Sequence, residues 1–303
     1  MTIMNSYHTP VLLGESIKGL NIKKNGIYID ATFGGGGHSK EILKNLSSKG
    51  RLVAFDRDYD ALINNDFGDS NFTFINENFE HLKKFLKNIG IEKVHGIHAD
   101  LGVSSHQIDS PERGFSYRFN SRLDMRMNKN NEVDASFIVN KYSKSMLTEI
   151  FNNYADLKIG KKISNEIQKY RTSKLIKSTF DLNDAISHLF SKKFLNKNLS
   201  RVYQAIRIEV NQEVKSLKSL LKQSSELLVP GGRLCIISYH SIEDRMVKRF
   251  IKNGDFNSEV TKDFYGNSIL DFKIIGKLIR PKDAEIKLNK RSRSAILRVA
   301  EKM

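Results

Sequence analysis

Three aspartates, a phenylalanine and a run of glycines are spaced as a nucleoside-binding site would need them. Gly26-Ile-Tyr-Ile leads into Asp30, and Thr32-Phe-Gly-Gly-Gly-Gly-His-Ser follows at once. Glycines let a backbone turn sharply and approach a ligand closely, because no Cβ stands in the way. Asp56 comes about 20 positions past that turn, where nucleotide-binding α/β folds hold ribose hydroxyls with a carboxylate. Asp100 ends the apolar run that starts at Val94, and Phe79 follows the alternating run from Asn71. An aromatic in that position either stacks on a base or fills the core. Ser39 stands where a dinucleotide loop has its third glycine, which argues against a pyrophosphate. By itself, such a loop also serves to pack a helix tightly on a sheet.

These residues need strands that end side by side. Gly26–Phe33, Leu52–Phe55, Asn71–Phe79 and Val94–Asp100 read as strands, separated by short helical stretches. Ser39 is expected to cap the first of these helices, with Ile42, Leu43 and Leu46 as its buried face. Alternating strands and helices with short connections predict an α/β, doubly wound parallel sheet. Ligands of such sheets sit beyond the carboxyl ends of the strands, and Asp30, Asp56, Phe79 and Asp100 are all predicted there.

After Asp100 the pattern changes. A polar stretch from Gly102 carries Phe115, Tyr117 and Phe119 among Arg113, Arg118 and Arg122. Guanidinium groups beside aromatic faces suit unstacked bases and phosphates, although an ordinary lid has the same composition. From about 133 to 199 the chain reads as helical, with Ser143 and Asp181 as expected N-caps. This block is expected to be an all-helical inserted domain, residues 105–204, a candidate for substrate recognition, within a domain formed by 1–104 and 205–303. The insert holds 18 basic and 10 acidic residues. Arg201 to Leu228 then reads as one helix stopped by Pro230-Gly-Gly, followed by a buried strand Arg233–Ser238, a helix Ile242–Ile251 and two last strands.

The chain carries 50 Lys and Arg against 34 acids, a formal charge of +16, which favours a polyanionic partner, RNA or DNA. The basic run from Lys277 to Arg293 is a plausible phosphate contact. A run of about 18 apolar residues is absent, as is a secretory signal, so a cytoplasmic protein with no membrane partner is expected. Cys235, the single cysteine, fits a reducing compartment and a packing role. Scattered histidines offer no metal-ligand spacing.

The motifs Thr32-Phe-Gly-Gly-Gly-Gly-His-Ser, Phe55-Asp-Arg-Asp, Asp100-Leu-Gly-Val-Ser-Ser, Glu112-Arg-Gly-Phe-Ser, Leu123-Asp-Met-Arg-Met, Gln204-Ala-Ile-Arg-Ile-Glu-Val-Asn, Ser238-Tyr-His-Ser-Ile-Glu-Asp-Arg and Arg293-Ser-Ala-Ile-Leu-Arg-Val-Ala occur in order. Together they closely resemble the bacterial 16S rRNA (cytosine-N4)-methyltransferase family, the MraW type, from about Tyr7 to Glu301. The resemblance implies a class I (Rossmann-like) methyltransferase fold, S-adenosyl-L-methionine as methyl donor, and a cytidine N4 in the decoding region of 16S rRNA as acceptor, within the small ribosomal subunit. It carries cofactor contacts over to Gly36, Gly37, His38, Asp56, Phe79, Asp100 and Gln107. His106 departs from the family, which often has proline there, and leaves Gln107 in register.

Many amino methyltransferases place Asp/Asn-Pro-Pro-Tyr/Phe after the fourth strand to receive the amine's protons. Here that position reads Asp100-Leu-Gly-Val. Asp100 is the first catalytic candidate, orienting either the amine or the donor's amino group. His240, at the fifth strand end, is the second, against a packed histidine. Homo-oligomerisation is left open. Two other functions stand beside methyl transfer: a nicotinamide-dependent oxidoreductase, and an RNA-binding ribosome assembly factor that retains the fold without turnover.

Overall fold

In the computed structural model, residues 10–63, 67–68, 70–257, 259–260, 264–266 and 270–303 are described; Tyr7, at the start of the family resemblance, lies outside them. The chain divides into two units, Met1–Gly102 with Val214–Met303, and Val103–Glu213. The second break falls later than residue 204, because the helix ending at Val210 belongs wholly to the second unit.

In the first unit, α1 (Leu13–Leu20), β1 (Ile27–Asp30), α2 (Gly37–Lys44), β2 (Arg51–Phe55), α3 (Tyr59–Ile63), β3 (Phe72–Ile75), α4 (Leu82–Asn88) and β4 (Val94–Asp100) follow in turn. The second unit contributes α5 (Ser105–Asp109), α6 (Ala135–Lys141), α7 (Lys144–Tyr154), α8 (Gly160–Ser173), α9 (Thr179–Ile186) and α10 (Leu195–Val210). After it come α11 (Glu213–Leu227), β5 (Leu228–Ser238), α12 (Ser241–Asn253), β6 (Phe272–Ile274), α13 (Asp283–Leu288) and β7 (Ile296–Lys302).

Among the described residues the strands form one sheet in the order β3-β2-β1-β4-β5-β7-β6. The five strands from β1 to β5 are parallel, and β7 runs antiparallel to both β5 and β6. The sheet is doubly wound, as expected, and successive residues show why. Ile29, Val53 and Ile236 pack into one core with Leu82 and Leu86 of α4, Leu217 and Leu220 of α11, and Val247 and Phe250 of α12. Their chain neighbours Tyr28, Leu52 and Cys235 point the other way, against Leu20 of α1 and Ile42 of α2. A strand buried on both faces needs a continuous apolar run, and these strands have one. The strand order reverses between β1 and β4, and that switch point is where a doubly wound sheet opens a crevice at its carboxyl edge.

Four local expectations change. Ser39 does not cap α2: the helix begins two residues earlier, behind Gly36 at φ 73°, and the Ser39 hydroxyl donates to Asp30 Oδ2 at 2.6 Å. Asp181 is not the cap of α9 but its third residue, in a reciprocal capping box with Ser178. The long helix expected over 201–228 is broken after Val210. Asn211 accepts from Met127 N–H and donates to the Met125 carbonyl, while Gln212 turns left-handed at φ 49°. Pro230-Gly-Gly lies inside β5 rather than beyond a helix, at a register shift against β4 that relieves proline of a ladder bond.

The second unit has its own core, built from Leu123, Ile138, Leu147, Phe151, Ile163, Ile167, Leu182 and Val202 among others. Ser143 caps α7 by accepting from Met146 N–H. The only extended pairing described there is the bridge between Arg122 and Ser178.

Candidate active site

The parallel register places Asp30, Asp56 and Asp100 at or just past the ends of three adjacent strands, β1, β2 and β4. Each is held by a different device. Asp56 Oδ2 accepts from Gly34 N–H at 2.7 Å and its Oδ1 from Asp58 N–H at 2.9 Å. Each oxygen keeps a second lone pair, the arrangement needed to accept from two neighbouring hydroxyls. Burial pushes the Asp56 carboxyl up to about 6, against the two backbone bonds that favour its ionised form.

Gly36 and Gly37 bound the turn for reasons of packing. A Cβ on Gly36 would stand 2.8 Å from Phe33, and one on Gly37 would stand 2.1 Å from Pro10. Gly34 differs: its φ is +52° and no described residue beyond its chain neighbours lies within 4 Å of where a Cβ would be. The open side of the loop is therefore at Gly34, which the sequence did not single out.

Asp30 is fully buried and belongs to the scaffold. It accepts from Thr32 N–H and from Ser39, and its Oδ1 lies 3.6 Å from His98 Nδ1. Burial raises such a carboxyl, but His98, His38 and the Ser39 bond outweigh it and hold Asp30 below the usual range. His38, also buried, meets the His98 ring at 4.3 Å between centroids and places Nε2 3.1 Å from the Val11 carbonyl. Burial, then the nearby His98, lower it to about 3, so His38 is neutral at working pH. The Val11 contact assigns its proton to Nε2 and leaves Nδ1 as an acceptor.

Asp100 sits between these groups and β5. Its backbone N–H donates to Thr32 Oγ1 at 2.6 Å, and the Tyr239 hydroxyl donates to its Oδ1 at 2.8 Å. Oδ2 lies 3.9 Å from His38 Nδ1, beyond hydrogen-bond range. Burial pushes its carboxyl up to about 7; His98 and the Tyr239 bond oppose this, and Asp30 and Glu243 add to it.

Phe79 occupies the short turn after β3 with 7% of its surface exposed. Its ring belongs to the sheet core and carries the Arg57 guanidinium at 5.8 Å. His240 caps α12: Nδ1 faces Glu243 N–H and Nε2 lies 3.1 Å from Glu243 Oε1. Both ring nitrogens thus face a neighbour within α12. Gln107 lies in the second unit, buried, with its Oε1 accepting from Ser104 N–H in a capping box. Sequence reasoning passed over Thr32, His98 and Tyr239. For Tyr239 a signal existed: it directly follows β5, the strand that pairs in parallel with β4.

The arginine and aromatic stretch of the second unit is divided: Arg118, Phe119 and Arg122 are exposed, while other members turn inward. Arg113 is 3% exposed and donates to the carbonyls of Arg126 and Met127. Arg126 makes a two-pronged pair with Asp124, and Arg122 reaches Asp134. Phe115 and Tyr117 pack on the helical core, while Phe119 is 45% exposed.

A model of one protein family, described as the MraW methylase family, matches residues 5–303. A protein of Flavobacterium johnsoniae named ribosomal RNA small subunit methyltransferase H is 54% identical over the full length of both chains. One of the same name from Christiangramia forsetii is 52% identical, again over all of both chains. Among solved structures, a putative rRNA-methylase from Clostridium thermocellum aligns over 98% of this chain and all of its own at 12% identity, with a TM-score of 0.44.

Proposed function

The chain belongs to the MraW methylase family, and from that premise we propose that it is an rRNA methyltransferase that uses S-adenosyl-L-methionine to methylate the exocyclic N4 of a cytidine in the decoding region of 16S rRNA. The observation that carries this reading is the set of strand-end acids around the open side of the glycine loop, in a chain that matches the family over nearly its whole length.

The donor set fits a nucleoside joined to an amino acid. Asp56 offers two oxygens to ribose hydroxyls, Gly34 leaves room beside the turn, and Asp100 offers Oδ2 to an amino group. Such a donor supplies a methyl group on a sulfonium, with a neutral thioether as leaving group. The protein's task is alignment of the amine with that methyl, and proximity of this kind supplies on the order of 7–11 kcal/mol in favourable cases. The cytosine amine shares its lone pair with the ring, so a proton acceptor or an orienting oxygen helps it attack. Asp100 is the first choice for orienting either that amine or the donor's amino group. His240 is the second, although its nitrogens already face Glu243. A cytidine in folded RNA must leave its stack to reach a buried site. The helical unit, with the exposed Phe119, is a candidate for holding RNA.

The test is methyl transfer from radiolabelled donor to small ribosomal subunits from cells lacking this gene, followed by nucleoside analysis. Label in N4-methylcytidine at one decoding-region site is the expected result. Label in another nucleoside keeps the methyltransferase and overturns its specificity. Donor binding with no transfer to subunits or naked rRNA supports an assembly factor instead.

A further inference from the structure

Asp100 has two oxygens with unequal surroundings. Oδ1 receives the Tyr239 hydroxyl at 2.8 Å, whereas among the described residues Oδ2 has only His38 Nδ1 nearby, at 3.9 Å. His38 Nδ1 is itself an acceptor, since Nε2 faces the Val11 carbonyl, so it cannot satisfy Oδ2. Tyr239 is fixed at both ends. Its backbone N–H donates to Glu243 Oε2 at 2.9 Å, and its ring packs in the cluster with Ile237 and Leu297. Burial and the adjacent Asp100 carboxylate raise the Tyr239 hydroxyl far above its ordinary range, so it remains a donor at any working pH.

We infer that Tyr239 is a positioning residue: it clamps Asp100 Oδ1 and so presents Oδ2 to the cationic amino group of a bound amino-acid moiety. The inference rests on the proposed methyl donor, whose amino-acid part carries such an ammonium group. A half-buried carboxylate with one satisfied oxygen and one open one suits a cation better than a neutral amine, because the cation also offsets the cost of ionising it. The groups facing Asp100 are His98 on its own strand, Asp30 on β1, His38 on α2, Tyr239 after β5 and Glu243 on α12. Asp30 and Glu243 repel its charge, and Tyr239 is the one neutral donor that favours it through a direct side-chain bond.

Two consequences follow from linkage. Asp100 must be ionised to hold an ammonium, so affinity for the demethylated donor, S-adenosylhomocysteine, weakens as pH falls through about 7. Removing the Tyr239 hydroxyl raises the Asp100 carboxyl further and moves that break upward.

The experiment is calorimetric titration of the whole protein with S-adenosylhomocysteine from about pH 5.5 to 8.5, for wild type and Tyr239→Phe. We expect about tenfold weaker binding by Tyr239→Phe at neutral pH and an upward shift of the break by roughly one pH unit. Steady-state turnover should show a raised KM for the donor with kcat nearly unchanged, the mark of lost uniform binding. A Tyr239→Phe profile that overlays wild type overturns the inference. So does wild-type binding that is flat with pH while turnover alone falls in acid, since Asp100 would then serve the cytosine. Wild-type protein that binds no S-adenosylhomocysteine at any pH overturns the proposed donor itself. Should Tyr239→Phe fail to fold, 13Cζ-tyrosine spectra of the wild type decide. One of the 10 tyrosine signals should titrate with a midpoint near 7 and cease to move once ligand is bound. No titrating signal overturns the inference.

Discussion

Two regions of the molecule use polar side chains in opposite ways. At the strand ends of the first unit, half-buried carboxylates keep lone pairs unspent: Asp56 holds two backbone N–H groups and Asp100 one hydroxyl, with acceptor capacity left on both. In the arginine-rich stretch of the second unit, the guanidinium donors of Arg113, Arg122 and Arg126 are engaged by carbonyls and carboxylates of the same unit, while Arg118 stays exposed. Both stretches are rich in charge in the sequence. One is arranged for something that arrives later, and the other holds its own fold. On the proposed reading, unspent polar capacity near a crevice, rather than charge itself, marks the binding region.

The largest effect expected from this contrast is on stability. Arg113→Met leaves the Arg126 and Met127 carbonyls without their buried donor and should destabilise the second unit by about 2–4 kcal/mol, read from denaturant unfolding. Unchanged stability with weakened RNA binding would make this stretch a contact surface and erase the contrast. Next, Asp56→Ala should weaken S-adenosylhomocysteine binding roughly 100-fold by calorimetry, through loss of hydrogen bonds to a charged acceptor. Retained affinity would remove the ribose role of Asp56.

The two regions should also answer pH with opposite sign. Asp56 and Asp100 have raised carboxyls, so the folded first unit binds more protons than the unfolded chain. Their contribution to stability is fully present below the ordinary carboxylate range and is lost as pH rises through about 6 and 7. Asp30, lowered, acts only in acid below that window. In the second unit, burial raises the carboxyls of Asp124 and Asp181, but the bonds of Asp124 to Arg126, and those of Asp181 to Lys174 and Ser178, lower them more strongly. Their contribution is present above the ordinary range and lost as pH falls through the depressed values. Hydrogen exchange resolved by segment checks this: protection of the first unit should fall between about pH 5 and pH 7.5, while that of the second unit should hold there and fall only as pH drops below about 4. Asp100→Asn should flatten the response of the first unit; an unaltered slope would show that Asp100 titrates normally.

The smallest effect concerns the basic run. Lys290 and Arg293 are exposed, whereas Ser292 between them is buried and Arg291 is half-buried. Replacing Lys290 and Arg293 with glutamine should flatten the dependence of log affinity for RNA on log salt by roughly one to two. An unchanged slope excludes the run as a phosphate contact.

Reading the sequence located strands and their ends well, because apolar runs bounded by glycine and aspartate are local signals. It located caps poorly. Ser39 reads as a cap by type, yet the buried Asp30 carboxylate claims its hydroxyl, a partner nine residues away that no local rule supplies. The break after Val210 was equally hidden, since Asn211 is drawn to backbone groups more than 80 residues distant. Phe79 fits the core reading of its ring, and His240 the reading of a packed histidine, with Nδ1 facing the Glu243 N–H.

What the sequence determined by itself is the order of strands, the positions of the strand-end acids and the family, since each rests on residue type and spacing along the chain. What only the tertiary structure decided is which acid is spent and which is open. Asp30, Asp56 and Asp100 are alike in the sequence. Asp30 is closed by Ser39, Thr32 and His98, and Asp100 is half-closed by Tyr239 from a strand more than 130 residues away. Hydrogen-bond capacity is a property of neighbours in space, and the folded sheet alone assigns those neighbours.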